Sequence, residues 1–236
     1  MIDSFAKSAA TYDALNDLKD YPAEVARLRE FINTRKRSRG SRLLDVACGT
    51  GKHLELLRPD FDVEGLDAAP EMLTLARQRC PGVPFHQADM TSFELGRQFA
   101  VVACLFSAIG YCHTVEGLER AIGTMGRHLA PGGVLLVEPF IDPVEWHDRY
   151  VTAKFVDAPD FKVARMNVSR TESRLAVLDF HFMVATPAGV EQFTEVHRLA
   201  LFTRQEFEQA FRAAGLEVTF DAEGLMGRGL YIGCAT

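Results

Sequence analysis

The sequence lacks several features that would point to other kinds of protein. It has no surplus of basic charge: 26 Lys and Arg stand against 32 Asp and Glu, a net charge of −6. That argues against a duplex nucleic acid as partner, because such a partner is met with a basic face. The one basic run, Arg35, Lys36, Arg37 and Arg39, follows an amphipathic stretch and reads as a solvated helix end. The five cysteines, Cys48, Cys80, Cys104, Cys112 and Cys234, are odd in number and scattered, with no C-x-x-C pair. Neither a disulfide framework nor a metal site is indicated, and a reducing, cytoplasmic setting fits. No stretch approaches ~18 uninterrupted apolar residues, so no membrane span is expected. No apolar segment follows a basic start, so no signal peptide is expected. Internal repeats and low-complexity tracts are also absent.

What is present suits one domain, or one domain with a lid. The 236 residues are 47% hydrophobic and 25% charged, enough for a core that needs no covalent support. Residues 1–15 are Ala-rich and suit a short helix. Tyr21-Pro22 opens a better one, with Val25, Leu28, Phe31 and Ile32 at helical spacing. Strands are then expected at Arg42–Ala47, Phe61–Leu66, Val83–His86, Phe99–Phe106 and Val134–Val137. Helices fall between them at Lys52–Leu57, Pro70–Arg79 and Val115–Leu129, the last stopped by Pro131-Gly132-Gly133. Continuous apolar strands alternating with helices indicate an α/β fold whose parallel sheet is covered on both faces.

From 141 to 199 the period changes to two. Lys162–Ser169, Arg174–Ala185 and Gln192–Leu201 read as an antiparallel insertion after the fifth strand, with a turn at Pro187 and Gly189. Thr203–Ala214 returns to helix, with Thr203 and Glu206 as a capping box and Gly215 at its end. Strands at Leu216–Phe220 and Leu230–Cys234 complete seven in the main sheet. The expected division is 1–140 with 200–236 as a Rossmann-like unit, and 141–199 as the insertion.

The chemistry concentrates in Leu44-Asp45-Val46-Ala47-Cys48-Gly49-Thr50-Gly51, a loop that follows a strand and opens a helix. Gly49 and Gly51 have no Cβ, so backbone can approach a ligand there. A dinucleotide site would want a third glycine at position 54, and Leu54 stands there, which disfavours a nicotinamide oxidoreductase. Asp67 closes the second strand, where a carboxylate can take ribose hydroxyls, and Asp89-Met90 follows the third. Each of these taken singly also suits a plain turn or a helix cap. Their succession along one edge of the sheet is what a ligand site requires.

That loop resembles the cofactor loop of the class I S-adenosylmethionine-dependent methyltransferases. The whole chain is similar to the N,N-dimethyltransferases of nucleotide-linked (dTDP) amino sugars in actinobacterial antibiotic pathways, such as those of desosamine and mycaminose. The similarity is carried by Tyr12-Asp13, Lys19-Asp20-Tyr21, Leu43–Gly51, Gly65-Leu66, Glu71-Met72-Leu73 and Asp89-Met90. It continues in Leu105-Phe106-Ser107, Ile109-Gly110, Glu138-Pro139 and Gly227-Arg228-Gly229-Leu230.

The resemblance implies S-adenosylmethionine as cofactor, a small-molecule substrate and a homodimer. Tyr12 and Tyr21 would close over the cofactor. Ala47, Gly49 and Gly51 would lie against its methionine part, Asp67 and Ala68 by the ribose, Asp89 and Met90 at the adenine, with Leu105 also lining the site. Phe140, Ala153, Phe155, Asp157 and Arg228 would surround the sugar nucleotide, Arg228 pairing with its diphosphate. Two departures fall on substrate-facing positions. Phe140 and Ile141 stand where the family carries two tryptophans, and an N-terminal tyrosine is replaced around Ser4-Phe5.

For proton handling the candidates are Tyr111, His113, Glu138 and His181, with Tyr111 and Glu138 preferred as orienting groups. Two other readings remain open at this point: O- or N-methylation of another small metabolite, and non-catalytic binding of S-adenosylmethionine.

Overall fold

A computed structural model describes residues 7–17 and 19–235; the Ser4-Phe5 departure lies outside them. Helix α1 (Ala9–Leu15) and helix α2 (Tyr21–Arg35) precede β1 (Arg42–Val46), α3 (Lys52–Leu57), β2 (Asp62–Asp67), α4 (Pro70–Arg79) and β3 (Phe85–Gln87). Then come β4 (Phe99–Cys104), a 3-10 turn at Ala108–Cys112, α5 (Val115–Arg127) and β5 (Leu129–Val137). The insertion supplies β6 (Val151–Asp157), β7 (Lys162–Glu172), β8 (Leu175–Thr186) and β9 (Gly189–Ala200). Helix α6 (Arg204–Ala213), β10 (Glu217–Asp221) and β11 (Leu230–Cys234) finish the chain.

Seven strands form one sheet in the order β10-β11-β5-β4-β1-β2-β3, parallel except at β11. The chain steps from β1 outward to β3, then crosses back to lay β4 on the other side of β1. The carboxyl ends of β1 and β4 therefore flank a topological switch point, the place where a doubly wound sheet opens a crevice. Helices α2, α3 and α4 cover one face through Leu28, Ile32, Leu54, Leu57 and Leu73. Helices α5 and α6 cover the other through Leu118, Ile122, Met125, Phe207 and Phe211.

Leu54, the residue that breaks the dinucleotide pattern, is fully buried. The close approach of helix to sheet is made from the strand side: a Cβ on Gly65 would stand 2.8 Å from Leu54 Cδ1 and 2.6 Å from the Phe85 ring. The glycine that lets α3 settle on the sheet is thus on β2, not on the helix.

Helices α3 and α4 have the expected bounds, and the Thr203–Glu206 capping box is formed. Two segments differ. Pro131-Gly132-Gly133 lies inside β5, which starts at Leu129 and carries a register shift against Phe99 and Val101. Strand β6 was not expected at all. It forms the edge of a four-stranded antiparallel sheet, β6-β7-β8-β9. Its inner side chains face α1, where the Lys154 ammonium donates to the Leu15 carbonyl (3.0 Å). Leu15 packs on Val163 and Phe182. No helix among the described residues is long and apolar enough to cross a membrane.

Candidate active site

At the end of β1 the backbone turns through the left-handed region at Ala47 (φ 59), Gly49 (φ 54) and Gly51 (φ 77). A Cβ on Gly51 would touch Ala76 of α4 at 3.3 Å, whereas one on Gly49 would meet no protein atom within 4 Å. Gly51 is thus needed for packing, and Gly49 opens onto free space. The Asp67 carboxylate accepts from Gly49 N (2.8 Å) and Ala69 N (2.9 Å), tying the end of β2 to the glycine loop. Burial nevertheless raises its pKa, against those backbone donors.

Behind the loop Asp45 is buried, and its Oδ2 has no hydrogen-bond partner among the described residues. Burial, and then the charge of Asp67, push its carboxyl up to about 8. Ala68 is half-buried beside Asp67, and Leu105 is buried at the end of β4. Asp89 is exposed and accepts from Thr91 N and Thr91 Oγ1, both at 2.7 Å. Met90 Sδ lies 3.6 Å from Cys112 Sγ.

The N-terminal helices cover this edge. Asp13 of α1 accepts from Thr50 Oγ1 (2.7 Å) and pairs with Arg79 of α4, so the lid is held to the glycine loop itself. Tyr12 packs with Ala69 and Met72. Tyr21 sets its ring edge-on to His53 at 5.1 Å between centroids. Burial pushes both phenols far above their usual range, so they stay neutral. Lys19 is a buried cation on the same edge. It pairs with Glu24 (2.8 Å) and lies over the rings of Tyr21 (4.4 Å) and Phe106 (4.0 Å).

After β4 the chain is strained. Phe106 (φ 52) and Ser107 (φ 67) are consecutive non-glycine residues in the left-handed region, a conformation that persists only where surroundings enforce it. Glu138, at the end of β5, enforces it by accepting from Phe106 N at 2.6 Å. Ser107 Oγ donates to the Pro139 carbonyl (3.1 Å) and accepts from Arg228 (2.8 Å). The second Glu138 oxygen is buried without a partner among the described residues. Burial raises its carboxyl, opposed in part by Lys19 and Arg228. The Tyr111 hydroxyl lies 2.8 Å from His197 Nδ1 of β9, and Phe140 packs near Trp146 at 6.0 Å.

Most of the residues expected at the site therefore gather along the carboxyl edge of the main sheet: Tyr12, Tyr21, Ala47, Gly49, Gly51, Asp67, Ala68, Asp89, Met90, Leu105, Tyr111, Glu138, Phe140 and Arg228. Ala153, Phe155 and Asp157 do not join them. They occupy the outer face of β6, with Phe155 73% exposed and Asp157 paired with Lys162, because residues 151–157 form an edge strand whose alternation turns these three away from the cleft. His181 is on that outer face too, and His113 turns to the Arg198 carbonyl (2.9 Å). Lys19 and Ser107 lie in segments that carry the family resemblance, but their contacts here, like the pairing of Tyr111 with His197, could not be read from those segments. The contacts with Phe106, Arg228 and His197 join distant segments.

The fold and this glycine loop are those of a class I methyltransferase. Residues 43–133 match the family described as methyltransferase domain. The chain is 43% identical, over 91% of each partner, to dTDP-3-amino-3,4,6-trideoxy-alpha-D-glucopyranose N,N-dimethyltransferase of Streptomyces venezuelae. It is 40% identical to dTDP-3-amino-3,6-dideoxy-alpha-D-glucopyranose N,N-dimethyltransferase of Streptomyces fradiae, over 98% of this chain and 92% of that one. Among solved structures, Streptomyces venezuelae DesVI superposes with a TM-score of 0.91, at 41% identity over 98% of this chain and 99% of that one. CalS10, an amino pentose methyltransferase of Micromonospora echinaspora solved with S-adenosylmethionine bound, gives 0.85 and 41% over 96% and 95%.

The chain is an S-adenosylmethionine-dependent methyltransferase, and within that class it belongs to the family of the amino-sugar N,N-dimethyltransferases. Its residues fit the cofactor. Gly49 leaves free the volume that a Cβ would take, and the unpartnered oxygen of buried Asp45 suits a cationic amino group nearby.

Proposed function

We propose that this enzyme N,N-dimethylates the amino group of a dTDP-linked deoxyamino sugar in antibiotic biosynthesis. The observation that carries the reading is the similarity, over nine-tenths or more of the chain, to two enzymes named for that reaction. When bound, S-adenosylmethionine supplies an electrophilic methyl group. What remains for the protein is to position a neutral amine in line with it and to keep water out.

In this reading Gly49 and Gly51 lie along the methionine part of the cofactor, with Ala47 and Leu105 beside it. Asp67 and Ala68 hold the ribose, Asp89 and Met90 the adenine, and Tyr12 and Tyr21 close the lid. Phe140 walls the sugar, and Arg228, already oriented by Ser107, pairs with the diphosphate. Tyr111 orients the amine through its hydroxyl. Glu138 keeps the strained turn in place and offers its second oxygen to the amine side of the cleft.

The outer face of the small sheet exposes Val151, Phe155, Met166, Val168 and Met183 at 46–73%. A contiguous apolar face of this kind calls for a cover, and a second copy of the chain supplies it in the homodimer we propose. A reducing cytoplasm suits the five free thiols.

The deciding experiment offers S-adenosylmethionine with dTDP-3-amino-3,6-dideoxyglucose, or with its 3-hydroxyl counterpart, and weighs the products. Successive gains of one and two methyl groups on the amine alone support the proposal. Methylation of the hydroxyl sugar, or of neither, overturns it.

A further inference from the structure

We propose that His197 and Glu195 form a proton-accepting chain behind Tyr111, and act as positioning residues for its hydroxyl. The inference rests on the reading above, in which Tyr111 faces the amine. The Tyr111 hydroxyl oxygen is 2.8 Å from His197 Nδ1. On the far side of the ring, His197 Nε2 is 3.6 Å from Glu195 Oε2. His197 and Glu195 are both buried on one face of β9, two residues apart.

The other Glu195 oxygen accepts from Ser8 N at 3.0 Å, which fixes the carboxylate. Its Oε2 is left buried with no hydrogen-bond partner among the described residues. Such an oxygen is costly to bury unless a charged partner is formed next to it. A histidine that becomes an imidazolium during the reaction is that partner. The arrangement follows the logic of a base oriented by a carboxylate on its far nitrogen.

Glu195 favours the tautomer with hydrogen on Nε2, leaving Nδ1 to accept the Tyr111 proton. As the substrate nitrogen gives up its proton to the Tyr111 oxygen, the Tyr111 hydroxyl proton passes to His197 Nδ1. Tyrosine stays neutral, and one positive charge moves from the amine to the imidazole beside a carboxylate. Among the described residues, Phe180 of β8 lies 5.4 Å from the ring, and Arg165 of β7 stacks on Phe180 at 4.3 Å. Arg165 brings a positive charge to Phe180, while the Glu195 carboxylate stands 3.6 Å from the ring nitrogen itself.

Two measurements on the full-length protein decide the matter. In His197→Asn the amide oxygen can still accept from Tyr111 but cannot hold the proton. With dTDP-3-amino-3,6-dideoxyglucose, its kcat/KM is expected to fall about tenfold or more at neutral pH, a small share of the usual acid–base effect, and to recover at high pH, where the amine is already neutral. Binding of S-adenosylhomocysteine should stay within about twofold, showing an intact fold. An unchanged pH profile in the folded variant overturns the chain. Separately, nitrogen NMR of the wild-type imidazole should show the Nε2–H tautomer, weakened in Glu195→Gln. The Nδ1–H tautomer overturns the chain whatever the acceptor is, whereas loss of the amino-sugar reading alone shows as a wild type inactive on that substrate.

Discussion

Gly49 and Gly65 make opposite demands, and alanine at each should separate cofactor binding from stability. At Gly49 (φ 54) an added Cβ meets no protein atom within 4 Å, so the cost to folding is that of a left-handed alanine alone, about 1–2 kcal/mol. For a chain of this length that lowers Tm by about 2–8 °C. The same methyl group, however, stands in the space assigned to the cofactor. The affinity for S-adenosylhomocysteine should therefore fall by tenfold or more, about 1.4 kcal/mol.

Gly65→Ala drives its Cβ to within 2.6 Å of the Phe85 ring and 2.8 Å of Leu54, and overpacking of this kind costs about 1–3 kcal/mol. Protein that remains folded should bind S-adenosylhomocysteine nearly as wild type does. Thermal unfolding and calorimetric titration of both variants read the two effects independently. A folded Gly49→Ala protein that binds within twofold of wild type would refute the assignment of that space.

Other outcomes follow from the carboxylates and the outer sheet. Asp67→Ala should weaken S-adenosylhomocysteine by about tenfold or more, the worth of a hydrogen bond to a charged group. Because burial raises the Asp67 pKa, wild-type binding should weaken on acidification earlier than an ordinary aspartate would cause, and the variant should lose that dependence. Asp45 is raised from 3.8 to about 8, so the native state holds its proton more tightly than the unfolded chain does. Its contribution is full below 3.8 and declines as pH rises toward 8. Denaturation midpoints of Asp45→Asn should show a flatter pH dependence across that window. Phe155→Asp, on the exposed face of β6, should convert a dimeric wild type to monomer in sedimentation; a wild type already monomeric removes the proposed interface.

Much of the main sheet was legible because its signals are local. Pro70 starts α4, Thr203 and Glu206 cap α6, and continuous apolar strands mark a sheet covered on both sides. The glycine loop with Asp67 could be read for the same reason: each residue sits at a strand end. The small sheet was harder. In β6 the outer face carries Val151, Ala153 and Phe155, and the inner face Thr152, Lys154 and Val156. The alternation is inverted: Val151, Ala153 and Phe155 face outward while polar Thr152 and Lys154 face inward, so its phase points the wrong way until the neighbours are known. Ala153, Phe155 and Asp157 were expected at the cleft from the family resemblance alone, and this strand turns them outside it. The turn at Phe106 and Ser107 was likewise hidden, because it depends on Glu138, which joins it only through the pairing of β4 with β5.

The most direct test of the cofactor assignment is a crystal structure of the full chain with S-adenosylhomocysteine. The expected result places the homocysteine part along Gly49–Gly51, the ribose hydroxyls on Asp67, and the adenine beside Asp89 and Met90. A ligand bound away from the carboxyl ends of β1 and β2, with Asp67 left to its in-chain bonds with Gly49 and Ala69, would contradict it.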